Sequence, residues 1–153
     1  MYRFGKRSLK ELEGVDEQLV AICHRAIEIT EVDFSVHDGI RTLEEQQRLF
    51  DSGASKTLKS KHLTGHAVDL VPYINGKLRW EWPPIYKIAE AVQQATLEVS
   101  PGLNIRWGGA WGLEFIATEL SPEELLILYS ESYREKEERQ PFLDGPHFEL
   151  VED

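Results

Sequence analysis

The chain has 153 residues, 41% of them hydrophobic and 29% charged, which fits one soluble globular domain with enough apolar side chains for a core. A net charge of −10 disfavours general affinity for nucleic acid or for an anionic membrane surface. The single cysteine, Cys23, excludes an internal disulfide and a cysteine-based zinc cluster, and no apolar run nears the ~20 residues of a bilayer span.

The N-terminal stretch is basic but lacks the apolar middle of a secretory signal, so the chain is expected to begin in a cytoplasm. Leu19, Ile22, Cys23, Ala26 and Ile27 recur at helical spacing and predict a helix over 16–29 with Cys23 on its apolar face and His24 outside it. DFSVH, at 33–37, alternates like a short strand that Gly39 closes. Thr42 and Glu45 form a capping box, starting a helix that Gly53 stops. Residues 54–65 read as a loop rich in Ser, Thr and Lys. Ala67 to Val71 reads as a strand, joined by a tight Asn75-Gly76 turn to KLRW. Pro83 and Pro84 open a helix carrying Ile85, Ile88, Ala89 and Val92 on one face. A strand around Asn104 to Trp107 runs into Gly108-Gly109. Ser121 and Glu124 form a second capping box, and the helix it starts should turn Leu125, Leu128 and Tyr129 inward. HFELV closes the chain as a strand. The mixture predicts an α+β fold with a small, mostly antiparallel sheet flanked by helices.

SKHLTGHAVDL, at 60–70, crowds two histidines, an aspartate and a glycine just ahead of an apolar stretch. If Gly65, Ala67 and Asp69 share one strand face, the small residues leave room beside the Asp69 carboxylate, and His66 points the other way. A bend at Gly65 brings His62 to Asp69, and His147 is the best third partner. Two imidazoles and a carboxylate are a common zinc set that leaves one position open. A hydrogen-bond network bracing the loop is the competing reading. A fully structural zinc site needs a fourth ligand, from His66 or Glu149. Asp144, three residues before His147, is placed to accept a proton from an attacking water, and Glu149 competes because it shares a strand face with His147.

Ser60, His62, Gly65, Ala67 and Asp69 match the S-x-H-x-x-G-x-A-x-D signature, and the chain resembles the D-Ala-D-Ala metallopeptidase and hedgehog superfamily. The Asp-x-x-His of Asp144 and His147 resembles its L-alanyl-D-glutamate endopeptidase branch, familiar as phage endolysins. DGIRTLEEQQRLFDSGASKT and RWGGAW add further matches. The resemblance implies a hedgehog/D,D-peptidase-like fold and one zinc ion held by His62, Asp69 and His147. It also implies Asp144 as catalytic base, Arg41 facing the substrate carbonyl, and Ser60 hydrogen-bonding near the ligands or substrate. Without it, Arg41 reads as a surface residue paired with a carboxylate such as Glu45. Trp107 and Trp111 either wall the cleft or pack in the core.

The expected function is therefore hydrolysis of the peptidoglycan stem peptide at the L-Ala–D-Glu bond. A D,D-carboxypeptidase or dipeptidase, and a non-catalytic zinc domain that binds cell wall or a partner, are the alternatives. The whole of 1–153 is expected to form one domain, with 112–140 a helical insertion, and to act as a monomer on peptidoglycan without binding nucleic acid. With no membrane anchor expected, an endolysin of this kind waits in the host cytoplasm for a separate membrane-permeabilising protein.

Overall fold

A computed structural model describes residues 1–137 and 141–151. The first helix, α1 (Lys6–Glu11), is a departure from the sequence reading. Its six residues carry no apolar stripe; what anchors it is tertiary, the buried Ser8 hydroxyl accepting the Val36 N–H at 3.0 Å. Helix α2 (Glu17–Ile29) buries the five residues of the expected stripe, and the Asp16 side chain caps it by accepting from the backbone N–H of Gln18 and Leu19. Cys23 lies in that stripe, and burial pushes its thiol up to about 12, so it is inert.

Strand β1 (Phe34–Asp38) leads to α3 (Leu43–Asp51), which Thr42 caps by accepting the Glu45 N–H. The expected loop at 54–65 contains a 3-10 turn, Lys61–Thr64. Strand β2 (Ala67–Ile74) is longer than expected, and β3 (Lys77–Leu78) is shorter. Asn75 and Gly76 both take positive φ, 53° and 77°, as the turn between them requires. Helix α4 (Trp82–Val99) follows, with proline in its first turn, and then β4 (Ile105–Trp107). In α5 (Pro122–Glu137) the Ser121–Glu124 capping box is reciprocal, but the expected inward face is only partly right. Leu125 is buried, whereas Leu128 is 44% exposed, because only a narrow edge of α5 meets α4. The last strand is β5 (His147–Leu150).

The sheet runs in the order β1-β2-β5-β4, with β3 paired to β2, and every pairing is antiparallel. Alternation then sorts the side chains by face. Val68 and Leu70 of β2, Ile105 and Trp107 of β4, and Phe148 and Leu150 of β5 join the core with α2 and α4. Their neighbours, Asp69, Arg106, His147 and Glu149, line a cleft on the opposite face. A β-bulge between Val36 and Asp38 lets His37 fall out of register and sets Asp38 opposite Asp69. One face of the sheet thus holds the fold together, and the other is left to polar chemistry.

Candidate functional site

Register places Asp69 of β2 directly across from His147 of β5. His62 arrives from the 3-10 turn, where the Ser60 hydroxyl accepts the His62 N–H at 3.2 Å. Gly65 ends that turn at a φ of 77°, and a Cβ there would sit 2.6 Å from the Gly14 carbonyl oxygen, so only glycine fits. The result is three donors facing one another: His62, Asp69 and His147 each offer an atom within 4.8 Å of the others.

The remaining nitrogens of both rings are already committed. Nδ1 of His62 lies 2.7 Å from the Gly39 carbonyl and donates to it, leaving Nε2 toward Asp69 Oδ1 at 3.2 Å. In His147 the arrangement is reversed. Nε2 donates to Glu149 Oε1 at 2.8 Å, and Nδ1 faces the same Asp69 oxygen at 3.2 Å. Each ring is therefore fixed in tautomer and angle by an oxygen behind it, the arrangement that supports metal-ligating histidines. Burial opposes the charge on Asp69, but bonds from His147 and His62 outweigh it and hold the carboxyl well below its usual range. Burial favours a neutral His147 ring, yet its bonds to Asp69 and Glu149 push it up to about 9.

The cleft beside this cluster has a volume of about 700 Å³, and Arg41, Ser60, Trp111, Asp144 and Glu149 all line it. Arg41 pairs with Asp38 rather than with Glu45, donates to Gln46 Oε1 at 2.7 Å, and lies 3.6 Å from Asp69. Asp144 is held through its backbone: its N–H donates to the Gly108 carbonyl, and its own carbonyl accepts from His147 N–H. A Cβ on Gly108 would lie 2.1 Å from that Asp144 carbonyl oxygen. Burial first, and then the charge of Asp69, push the Asp144 carboxyl up to about 6.

Glu149 stands behind His147, away from the three facing donors, with Arg106 at 3.3 Å on its other oxygen. His66 bonds to the Thr64 hydroxyl at 2.7 Å, so neither it nor Glu149 joins the cluster as a fourth donor. Of the two tryptophans, Trp111 lines the cleft and packs 5.3 Å from the His147 ring. Trp107 is fully buried in the core, where it cannot touch a substrate; its indole N–H donates to the Gly145 carbonyl at 2.7 Å, bracing the residue next to Asp144. His24 is exposed, and His37 lies at the cleft edge with its ring 5.6 Å from Trp80.

Asp38, Gln46, Arg106 and the Gly39 carbonyl are the supporting groups that sequence reasoning missed. Asp38, Gly39 and Gln46 all lie inside the quoted DGIRTLEEQQRLF segment, which is the one signal that pointed to them. Their partners, set by the β1 bulge, and the position of Arg106 across from Glu149 are long-range features that no local pattern announces.

Comparison with known proteins agrees with this geometry. A family described as phage L-alanyl-D-glutamate peptidase matches residues 1–120. The L-alanyl-D-glutamate peptidase of Escherichia phage T5 is 33% identical over 154 residues, covering 98% of each chain. That of Listeria phage A118 is 29% identical over 111 residues, 71% of this chain and 38% of the relative. The crystal structure of the Serratia marcescens L-Ala D-Glu endopeptidase ChiX superposes with a TM-score of 0.70 at 34% identity, covering 97% of this chain and 90% of that one. The full-length matches carry the likeness past residue 120 to the strand that bears His147, and the chain belongs to the phage L-alanyl-D-glutamate peptidase family.

Proposed function

We propose that the protein is a zinc-dependent endopeptidase that cuts the L-Ala–D-Glu bond in the stem peptide of bacterial peptidoglycan. The observation that carries this reading is the His62, Asp69 and His147 cluster at the floor of an open cleft, with Asp144 beside it. The donor chemistry fits zinc. Two imidazole nitrogens and one carboxylate oxygen converge, both rings are oriented from behind, and the three-residue set has no fourth protein donor among the described residues. A zinc ion held there supplies Lewis acidity toward the scissile carbonyl and acidifies water.

Everything else falls to the side chains. Asp144 takes the proton of the attacking water and returns it to the leaving amine of D-Glu. Burial, which raises that carboxyl in the metal-free protein, makes it a stronger base than an ordinary aspartate. Arg41 has five N–H groups, and bonds to Asp38 and Gln46 use three of them. Asp69 lies 3.6 Å from Nη2, which leaves the second hydrogen of Nη1 for the carbonyl oxygen as it gains charge, and the guanidinium needs no reorganisation because its partners already hold it. Ser60 supports the turn that carries His62. Glu149, occupied by His147 and Arg106, is the weaker choice of base.

The domain boundaries belong to the same proposal: residues 1–153 act as one unit, with 112–140 a helical insertion, most of it α5. No helix among the described residues is long and apolar enough to cross a membrane. In the endolysin reading a monomer waits in the host cytoplasm, and a separate membrane-permeabilising protein gives it access to the wall. Mass spectrometry of muropeptides after digestion of purified sacculi tests the bond. New fragments beginning with D-Glu are expected; release of free D-alanine would instead mark a D,D-carboxypeptidase.

A further inference from the structure

Lys56 and Lys59, between α3 and the 3-10 turn, and Lys61, the first residue of that turn, all line the cleft of a chain whose net charge is −10. Most carboxylates in the cleft are already matched: Asp38 by Arg41, Asp69 by the two histidines, Glu149 by His147 and Arg106. Lys61 Nζ is tied down as a donor to the Leu150 carbonyl at 2.8 Å. Lys56 and Lys59 are exposed and pair with no carboxylate among the described residues; Lys56 Nζ lies 5.9 Å from the centre of the Phe142 ring. An acidic protein has thus concentrated uncompensated positive charge along one edge of its cleft, where it focuses the field on an incoming anion.

The substrate proposed above carries such a group. D-glutamate joined to alanine through its amine has two carboxyl groups, and continuing the peptide uses only one. The leaving half of the substrate therefore keeps a carboxylate unless it has been amidated. Resting on that reading of the site, we propose that the Lys56–Lys59 edge of the cleft is the subsite for the carboxylate-bearing, leaving-group half of the substrate, and that it makes the enzyme favour the free acid over the carboxamide.

The test uses the full-length, zinc-loaded protein and two synthetic L-Ala–D-Glu stem peptides, identical except that the free carboxyl of D-Glu is a carboxamide in one. The wild type should cleave the acid with a kcat/KM about fivefold to tenfold higher, the difference lying in KM and shrinking as ionic strength rises. Lys56→Gln with Lys59→Gln should bring the two peptides within about twofold, and charge reversal to glutamate should invert the preference. Lys6→Gln with Lys10→Gln, which removes the same two charges from exposed positions of α1, should leave the preference as it is. Equal cleavage of both peptides by the wild type, or a preference that survives the double substitution, would overturn this inference and leave the proposed function standing. Failure to cleave either peptide would overturn the proposed function and the subsite with it.

Discussion

Removing the Glu149 carboxylate strands the Nε2–H of His147 inside a buried strand and lets the ring turn. Glu149→Ala should weaken zinc affinity about 10- to 100-fold in a chelator competition, whereas Glu149→Gln, whose amide oxygen still accepts that N–H, should lose much less. Equal losses would show that the charge of Glu149 matters rather than its acceptor. Asp144 answers a different question. Asp144→Asn should bind zinc normally and lower kcat on stem peptide about 100- to 10,000-fold; a rate near that of the wild type rejects it as the base. The same substitution has a stability signature. An aspartate raised from 3.8 to about 6 binds its proton more tightly folded than unfolded, so its penalty is absent below the unfolded value and fully present above about 6. In the metal-free protein, Asp144→Asn should therefore raise Tm at neutral pH, with the gain fading as pH falls toward 4. Two of the three clustered donors were legible locally, because His62 and Asp69 sit within eight positions, on either side of Gly65. The support behind each ring was not, except for Glu149, whose shared strand face with His147 was visible but did not reveal which side of the ring it occupies.

Elements differ in how much of their making is local. Both capping boxes and the Asn75-Gly76 turn were readable because each is settled within four residues. The α1 helix and the 3-10 turn were not, since one depends on Ser8 reaching Val36 and the other on packing of Gly65 against Gly14. Leu128 was placed inward by periodicity alone, and periodicity does not say how wide a partner α5 will find. The junction of β4 with the Asp144 segment carries the sharpest consequence at this scale. Gly108 approaches the Asp144 backbone so closely that Gly108→Ala must displace one of them. We expect a stability cost of about 1–3 kcal/mol by thermal denaturation and a loss of roughly 100-fold in kcat. An alanine variant with normal turnover would mean that Asp144 does not depend on this contact for its position.

For the molecule as a whole, the sheet divides labour between its faces: apolar residues on one side join α2 and α4, and the alternate residues build the cleft. The α+β class and the antiparallel sheet were legible from the order of elements, but strand order was not, because pairing β5 between β2 and β4 is a long-range choice. That choice brings His147 to Asp69 across 78 positions, and with it the chemistry. If one divalent cation held by His62, Asp69 and His147 is what makes this cleft a peptidase, its removal must abolish activity and its return must restore it. The direct measurement is release of new amino groups from purified sacculi by protein stripped of metal, before and after one equivalent of zinc is returned. The account predicts no release from the stripped protein and recovery on addition; undiminished release without metal would contradict it.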